Sequence, residues 1–213
     1  MDMSGPYNNF GTGAGALSSE NLSEAAKLLT FIDRQVIDDE DPATKGGHHV
    51  SHECNLTMVV QLKPNKFQAT PDVTDFIGTL ESMEVMHLRI LIRGDEQDPE
   101  SIGSIKLELT SEEDIFFNYV CELNEEAVNQ LIADQGLTIQ YKDFLRILHK
   151  LLEDVQKHEA RALLMLDNVA ETAELRFQQD AEFRVDDLLI LTFGESKVDM
   201  IKAAISHRIN STQ

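Results

Sequence analysis

The 213-residue sequence contains no tryptophan, three tyrosines and two cysteines, and each shortage closes off a class of function. With no Trp, three Tyr and scattered Lys and Arg, there is no platform on which single-stranded nucleic acid could stack. Cys54 and Cys121 are too few and too unpatterned for a disulfide framework, which fits a reducing compartment and two ordinary buried thiols. Basic residues are also scarce. Eighteen Lys and Arg against 38 Asp and Glu leave a formal charge of −20, which repels phosphate backbones and anionic lipid, so neither nucleic acid nor a membrane surface is an expected partner. The acidic surface of a microtubule is repelled in the same way. An acidic partner of that kind would have to be gripped locally, and direct tubulin contact stays open. No run of about 18 apolar residues exists, and the start, Met1-Asp2-Met3-Ser4-Gly5-Pro6, lacks the basic and apolar blocks of a signal peptide. A soluble, intracellular protein is expected.

Catalytic signatures are missing as well. No Gly-x-Ser-x-Gly elbow, phosphate-cradling Gly-x-x-x-x-Gly-Lys loop or His-Glu-x-x-His helix occurs. The acidic pairs Asp38-Asp39, Glu112-Glu113 and Asp186-Asp187 fall at turns or strand edges, where they read as solvated charge rather than a desolvated acid–base pair. The stretch Gly46-Gly47-His48-His49-Val50-Ser51-His52-Glu53-Cys54 holds metal-ligand residue types but no second half for a tetrahedral site, and reads as a solvated linker entering a strand. The expectation is a protein that is not an enzyme and takes no cofactor or metal.

What is present is a globular composition, 42% hydrophobic and 26% charged. Residues 1–45 read as a mobile Gly/Ser/Asn-rich arm carrying an amphipathic helix over about 21–37. Leu22, Ala25, Leu29, Ile32 and Val36 fall three and four apart, Asn21 and Glu24 form an N-cap pair, and the acidic run Asp38-Asp39-Glu40-Asp41 followed by Pro42 ends it. Its narrow stripe packs on its own domain or docks a partner, with Leu22, Leu29, Ile32 and Val36 as the contact row. Residues 46–194 read as a β-rich domain. Strands are predicted over Asn55–Leu62, Glu84–Arg93, Ile105–Thr110 (one face wet), Ile115–Leu123, Leu137–Gln140 and Ala162–Leu166. Helices are predicted over Asn124–Asp134, closed by Gly136, and over Lys142–Lys157, whose broad apolar face needs a sheet to cover. Leu175–Gln178 and Val185–Phe193 read as the arms of a hairpin closed around Phe183, with Gly194 ending the second arm. A last helix over 195–213 places Val198, Ile201, Ile205 and Ile209 on one side. The fold class is thus mainly β with helices.

The tip Asp180-Ala181-Glu182-Phe183-Arg184 sets a large apolar side chain between two charged ones at a tight loop. Burying such a Phe against another surface contributes roughly 1.5–3 kcal/mol, a weak contact that gains meaning when many copies are confined together.

Leu107-x-Leu109-Thr110, Asp114-x-Phe116-Phe117-x-Tyr119, Leu123-x-Glu125, Gln135-Gly136-Leu137, Tyr141-x-x-Phe144 and Leu151-Leu152 resemble the signature region of spindle assembly abnormal protein six, the centriolar cartwheel protein. The resemblance implies an antiparallel β-sandwich or barrel head with a helical clip, similar to the heads of end-joining scaffolds. It also implies head-to-head pairing in which a bulky apolar residue at a hairpin tip enters an apolar pocket of another head. Along this chain that residue is Phe183, flanked by Glu182 and Arg184. Leu163, Met165, Leu175 and Phe177 lie near the elements that would form the pocket, and core packing accounts for each equally well. The sequence stops at Gln213 without the long coiled coil of the cartwheel protein, which fits the short, coil-less subgroup and equally the head of a longer, full-length protein. The expected role is a scaffold of the cytoplasmic cytoskeleton at the centriole or basal body, the flagellar base or the apical complex. Its partners would be itself and other cytoskeletal proteins, and ninefold ring assembly does not follow. The alternative is a monomeric adaptor that binds through the 21–37 helix.

Overall fold

Apolar residues alternate from His49 onward, and the strands they form close into a barrel. The computed structural model describes residues 41–63 and 81–211, all within the unit Asp39–Gln213. The helix expected over 21–37, with Leu22, Leu29, Ile32 and Val36, lies outside the described residues, as does most of the segment between the first two strands.

Among the described residues are β1 (His49–Leu62), β2 (Glu81–Arg93), β3 (Ser104–Ser111), β4 (Asn118–Asn124), β5 (Arg161–Asp167), β6 (Thr172–Asp180) and β7 (Val185–Glu195). They close in the order β1-β2-β3-β4-β7-β6-β5. Neighbours pair antiparallel except β1 and β5, which run parallel from Val59 beside Leu163 to Leu62 beside Leu166. Inward-facing Leu56, Met86, Leu88, Ile90, Leu107, Leu109, Leu164, Leu175, Phe177, Leu191 and Phe193 are sealed from solvent and form the core.

Three helices complete the described residues: α1 (Glu125–Asp134), α2 (Tyr141–Gln156) and α3 (Val198–Ser211). Asn124 caps α1, its side chain accepting from the Ala127 N–H at 2.8 Å. Gly136 ends it at φ +64°, which lets the Leu137 N–H reach back to the Ile132 carbonyl at 2.9 Å. α2 buries Phe144, Leu145, Leu148, Leu151, Leu152 and Val155 against the barrel.

Four expectations need correction. β1 begins at His49, so the histidine-rich stretch is strand and not linker, and His48 is buried with its Nε2 2.9 Å from Ser104 Oγ. The segment Ile115–Phe117 is a turn: the Asp114 carboxylate accepts from the Phe116 N–H at 2.9 Å, the Asp114 carbonyl accepts from the Phe117 N–H at 3.0 Å, and β4 starts only at Asn118. Leu137–Gln140 forms no strand, because the end of α1 ties it down. Most consequentially, β3 is buried on both faces. Its polar alternates Lys106, Glu108 and Thr110 are covered by the 3-10 turn Pro42–Thr44 and by α3, and the Lys106 ammonium donates to the Ala43 carbonyl at 3.1 Å. In α3 itself only Ile201 and Ile205 are buried, while Val198 and Ile209 face solvent.

Candidate interaction hairpin

The β6–β7 ladder closes with Asp180 opposite Val185, leaving Ala181-Glu182-Phe183-Arg184 as a four-residue tip. The Ala181 N–H donates to the Arg184 carbonyl at 2.8 Å and pins the loop across its base. β7 carries one extra residue where Phe177 pairs with Leu189 but Gln178 pairs with Asp187. The resulting bulge at Leu188 steepens the local twist beneath the tip.

Ion pairs brace both arms. Arg161 on β5 meets Asp180 at 2.7 Å, and Arg184 meets Asp186 at 2.6 Å. Lower down, Arg176 bridges Glu174 at 2.8 Å and Asp187 at 3.2 Å, while Lys63 meets Glu174 at 2.6 Å. Hydrogen bonds from Lys63 and then Arg176 hold the Glu174 carboxyl below its ordinary range, and the hydrogen bond to Glu174 raises Arg176. Above this braced ladder Phe183 stands 91% exposed, whereas Phe177 on the same hairpin is wholly buried. Glu182 and Arg184 beside it are also exposed.

At the root of the hairpin, the edge of β1 parts from the chain entering β5. The gap is a recess of about 310 Å³ whose apolar wall comprises Leu56, Met58, Met83, Val155, Ala160 and Ala162. Arg161 stands on its rim while pairing with Asp180, so tip and recess occupy the same end of the barrel. A larger recess, about 620 Å³ between Gly103 and α1, is lined by Asn124, Glu125, Glu126, Asn129 and Gln130 and offers acceptors and charge instead. Of the residues near the expected pocket, Leu175 and Phe177 are sealed inside the barrel, and Leu163 and Met165 are half-buried. Met83 was missed by the sequence reading; the signal was there in the alternation Met83, Val85, His87, which continues β2 backward.

The signature residues serve the frame of the domain. Asp114 caps its turn with exposed Phe116 beside it, and the Phe117 ring tilts against Tyr119 at 4.7 Å between centroids. Gln135 reaches β7, Gly136 supplies the positive φ, Leu137 packs on the core, and Phe144 is fully buried in α2. Among the described residues no cluster of three His, Cys, Asp or Glu side chains is arranged to hold a metal. Burial pushes the Cys54 thiol up to about 11 and the Cys121 thiol up to about 12.

Comparison with known proteins places this geometry. The family model of the centriolar protein SAS N-terminal domain matches residues 59–193. Among solved structures, an N-terminal coiled-coil dimer of C. elegans SAS-6 is 14% identical with a TM-score of 0.60, covering 78% of this chain and 90% of that one. An N-terminal fragment of Leishmania SAS-6 containing part of its coiled coil is 15% identical, TM-score 0.61, covering 78% and 82%. A Drosophila melanogaster Sas-6 fragment dimerised via its coiled-coil domain is 13% identical, TM-score 0.58, covering 79% and 75%. At these identities the structures establish the shared fold. No curated protein matches the chain significantly.

Proposed function

Since this chain belongs to the family of centriolar SAS-6 N-terminal domains, we propose that it is a non-enzymatic cytoskeletal scaffold whose copies associate head to head through Phe183. Its place is the centriole or basal body, or the related flagellar-base and apical cytoskeleton. The carrying observation is the 91% exposure of Phe183 on a tip locked by the Ala181–Arg184 hydrogen bond and braced by two ion pairs. A loop braced in this way loses little backbone freedom on docking, which leaves only the ring's own rotations to be frozen.

The recess walled by Leu56, Met58, Met83, Val155, Ala160 and Ala162 is the acceptor. Its floor is apolar and buried, Met83 stands exposed at its mouth, and Asn55, Thr57, Gln156, His158 and Arg161 make its rim polar; its volume suffices for a benzyl group. Because Arg161 joins recess rim to hairpin root, the two features neighbour one another, which suits a two-fold contact with each Phe183 entering the other copy's recess. The two anchors of such a contact together contribute roughly 3–6 kcal/mol against an association cost of about 4–15 kcal/mol, so pairing is weak for free heads and strong only for tethered or crowded ones.

Sedimentation velocity over a concentration series tests this reading. The wild type is expected to show concentration-dependent association that Phe183→Glu and Met83→Glu each abolish. Purely monomeric behaviour of all three, or association untouched by Phe183→Glu, overturns it.

A further inference from the structure

The outer face of the barrel under α3 is polar, buried and continuously hydrogen-bonded. The Arg89 guanidinium on β2 lies between two carboxylates: its Nη2 donates to Asp41, and its Nη1 donates to Glu108 on β3 at 3.1 Å. The other Glu108 oxygen accepts from the Asn118 amide on β4 at 3.0 Å. Asn118 in turn takes both groups that Ser196 offers, the hydroxyl on its side-chain oxygen at 2.5 Å and the N–H on its carbonyl at 2.9 Å. The Asp41 carboxylate also accepts from the Ala43 N–H at 2.9 Å and so fixes the 3-10 turn Pro42–Thr44. The chain therefore runs unbroken from the segment that enters the barrel to Ser196, two residues before α3. Only 17% of the Arg89 side chain and 8% of that of Glu108 are exposed.

α3 needs this anchor because its apolar contact is small. Ile201 and Ile205 are buried one turn apart, whereas Val198 and Ile209 on either side are exposed. Two apolar contacts about 6 Å apart along a helix axis leave its direction to polar contacts; at the far end the Arg208 guanidinium donates to the Ile115 carbonyl at 3.0 Å. We propose that Arg89 is a positioning residue for the near end of α3: by clamping Asp41 and Glu108, and through Glu108 the Asn118–Ser196 contact, it fixes where α3 starts and so shares with Arg208 in setting the direction in which it leaves the barrel. The cavity of about 230 Å³ beside it is lined by Glu53 of β1, His87 of β2, Thr110 of β3, and Ala204, His207 and Arg208 of α3, so β1, β2 and α3 each turn a titratable or charged side chain toward the clamp. Burial alone would raise the Asp41 pKa, but the Arg89 hydrogen bond with the Ala43 N–H outweighs it and holds the carboxyl below its usual range. Asp41 is thus ionised at neutral pH.

The inference is independent of pairing through Phe183, and its test uses the full chain. Spin labels on Gln179→Cys and Asn210→Cys, both exposed positions, report the distance between the hairpin and the end of α3, while the two native thiols stay protonated. The distance distribution is expected to broaden in Arg89→Met and to narrow again in Arg89→Lys. Hydrogen exchange on the same variants is expected to quicken about tenfold for amides of 43–48 and 198–205, with amides of β5 to β7 unchanged. Ser196→Ala, which leaves the barrel intact, is expected to quicken the first turn of α3 alone. An unchanged distance distribution in Arg89→Met, or exchange quickened equally in every strand, overturns the proposal.

Discussion

The side-chain amide of Gln135 occupies both backbone groups of Ile190: its Nε2 donates to the Ile190 carbonyl at 2.7 Å, and its Oε1 accepts from the Ile190 N–H at 2.9 Å. β4 meets β7 only where Tyr119 faces Glu195 and Val120 faces Gly194. Below that point Gln135 does the work of one strand residue and joins the end of α1 to the strand that carries the hairpin.

Gln135→Leu is accordingly expected to destabilise the domain by about 1–3 kcal/mol, because a part-buried N–H and C=O lose their partners together. Gln135→Glu keeps the acceptor but loses the donor and should fall between. Urea unfolding midpoints at neutral pH check both.

Two phenylalanines on the same hairpin should behave oppositely. Phe177→Ala empties a fully buried site and is expected to cost about 3–5 kcal/mol. Phe183→Ala removes a side chain that touches little within its own head, so its effect on unfolding of the isolated domain should stay within about 0.5 kcal/mol. Calorimetry at a dilution where heads are monomeric separates the two.

The hairpin was legible because its signals are local: two alternating arms, charged residues around one Phe, a loop too short to hide it. The helices over 125–134 and 141–156 were legible for the same reason, each having a cap or a broad apolar face. β3 was misread because its alternation is real but its polar row is covered by Asp41–Thr44 and α3, residues far away in sequence. Nothing within Ser104–Ser111 announces that cover. The turn at Asp114 was hidden in an apolar run, Ile115-Phe116-Phe117, that strand and turn accommodate equally until the Asp114 cap decides between them. The recess walled by Leu56, Met83 and Ala162 draws on β1, β2, α2 and the entry to β5, so no single segment carries its pattern.

Acid should weaken the domain through His149. Burial is the main cause that lowers its pKa, the His52 ring at 5.1 Å adds to it, and Glu96 and Glu153 partly oppose it. The unfolded chain therefore binds this proton first. The stability it contributes is present above the unfolded value of about 6.5 and is lost as pH falls toward the lower folded value. Between about pH 7.5 and 5.5, His149→Phe should flatten the decline in unfolding free energy relative to wild type.

The thiols should be silent. With Cys54 near 11 and Cys121 near 12, almost no thiolate exists at about pH 8. Alkylation by iodoacetamide followed by mass spectrometry is expected to leave both unmodified in the native protein and to label both in urea.

The doubly covered β3 also bears on how the chain is made. Glu108 is joined to Asp41 through Arg89 and to Ser196 through Asn118, and Ile205 closes the same face. As synthesis proceeds from the N-terminus, the strands can pair while this row of charges still faces water. The row becomes dry only after Val198–Ser211 has cleared the ribosome, so the nascent barrel waits, hydrated on one side, for α3 to emerge.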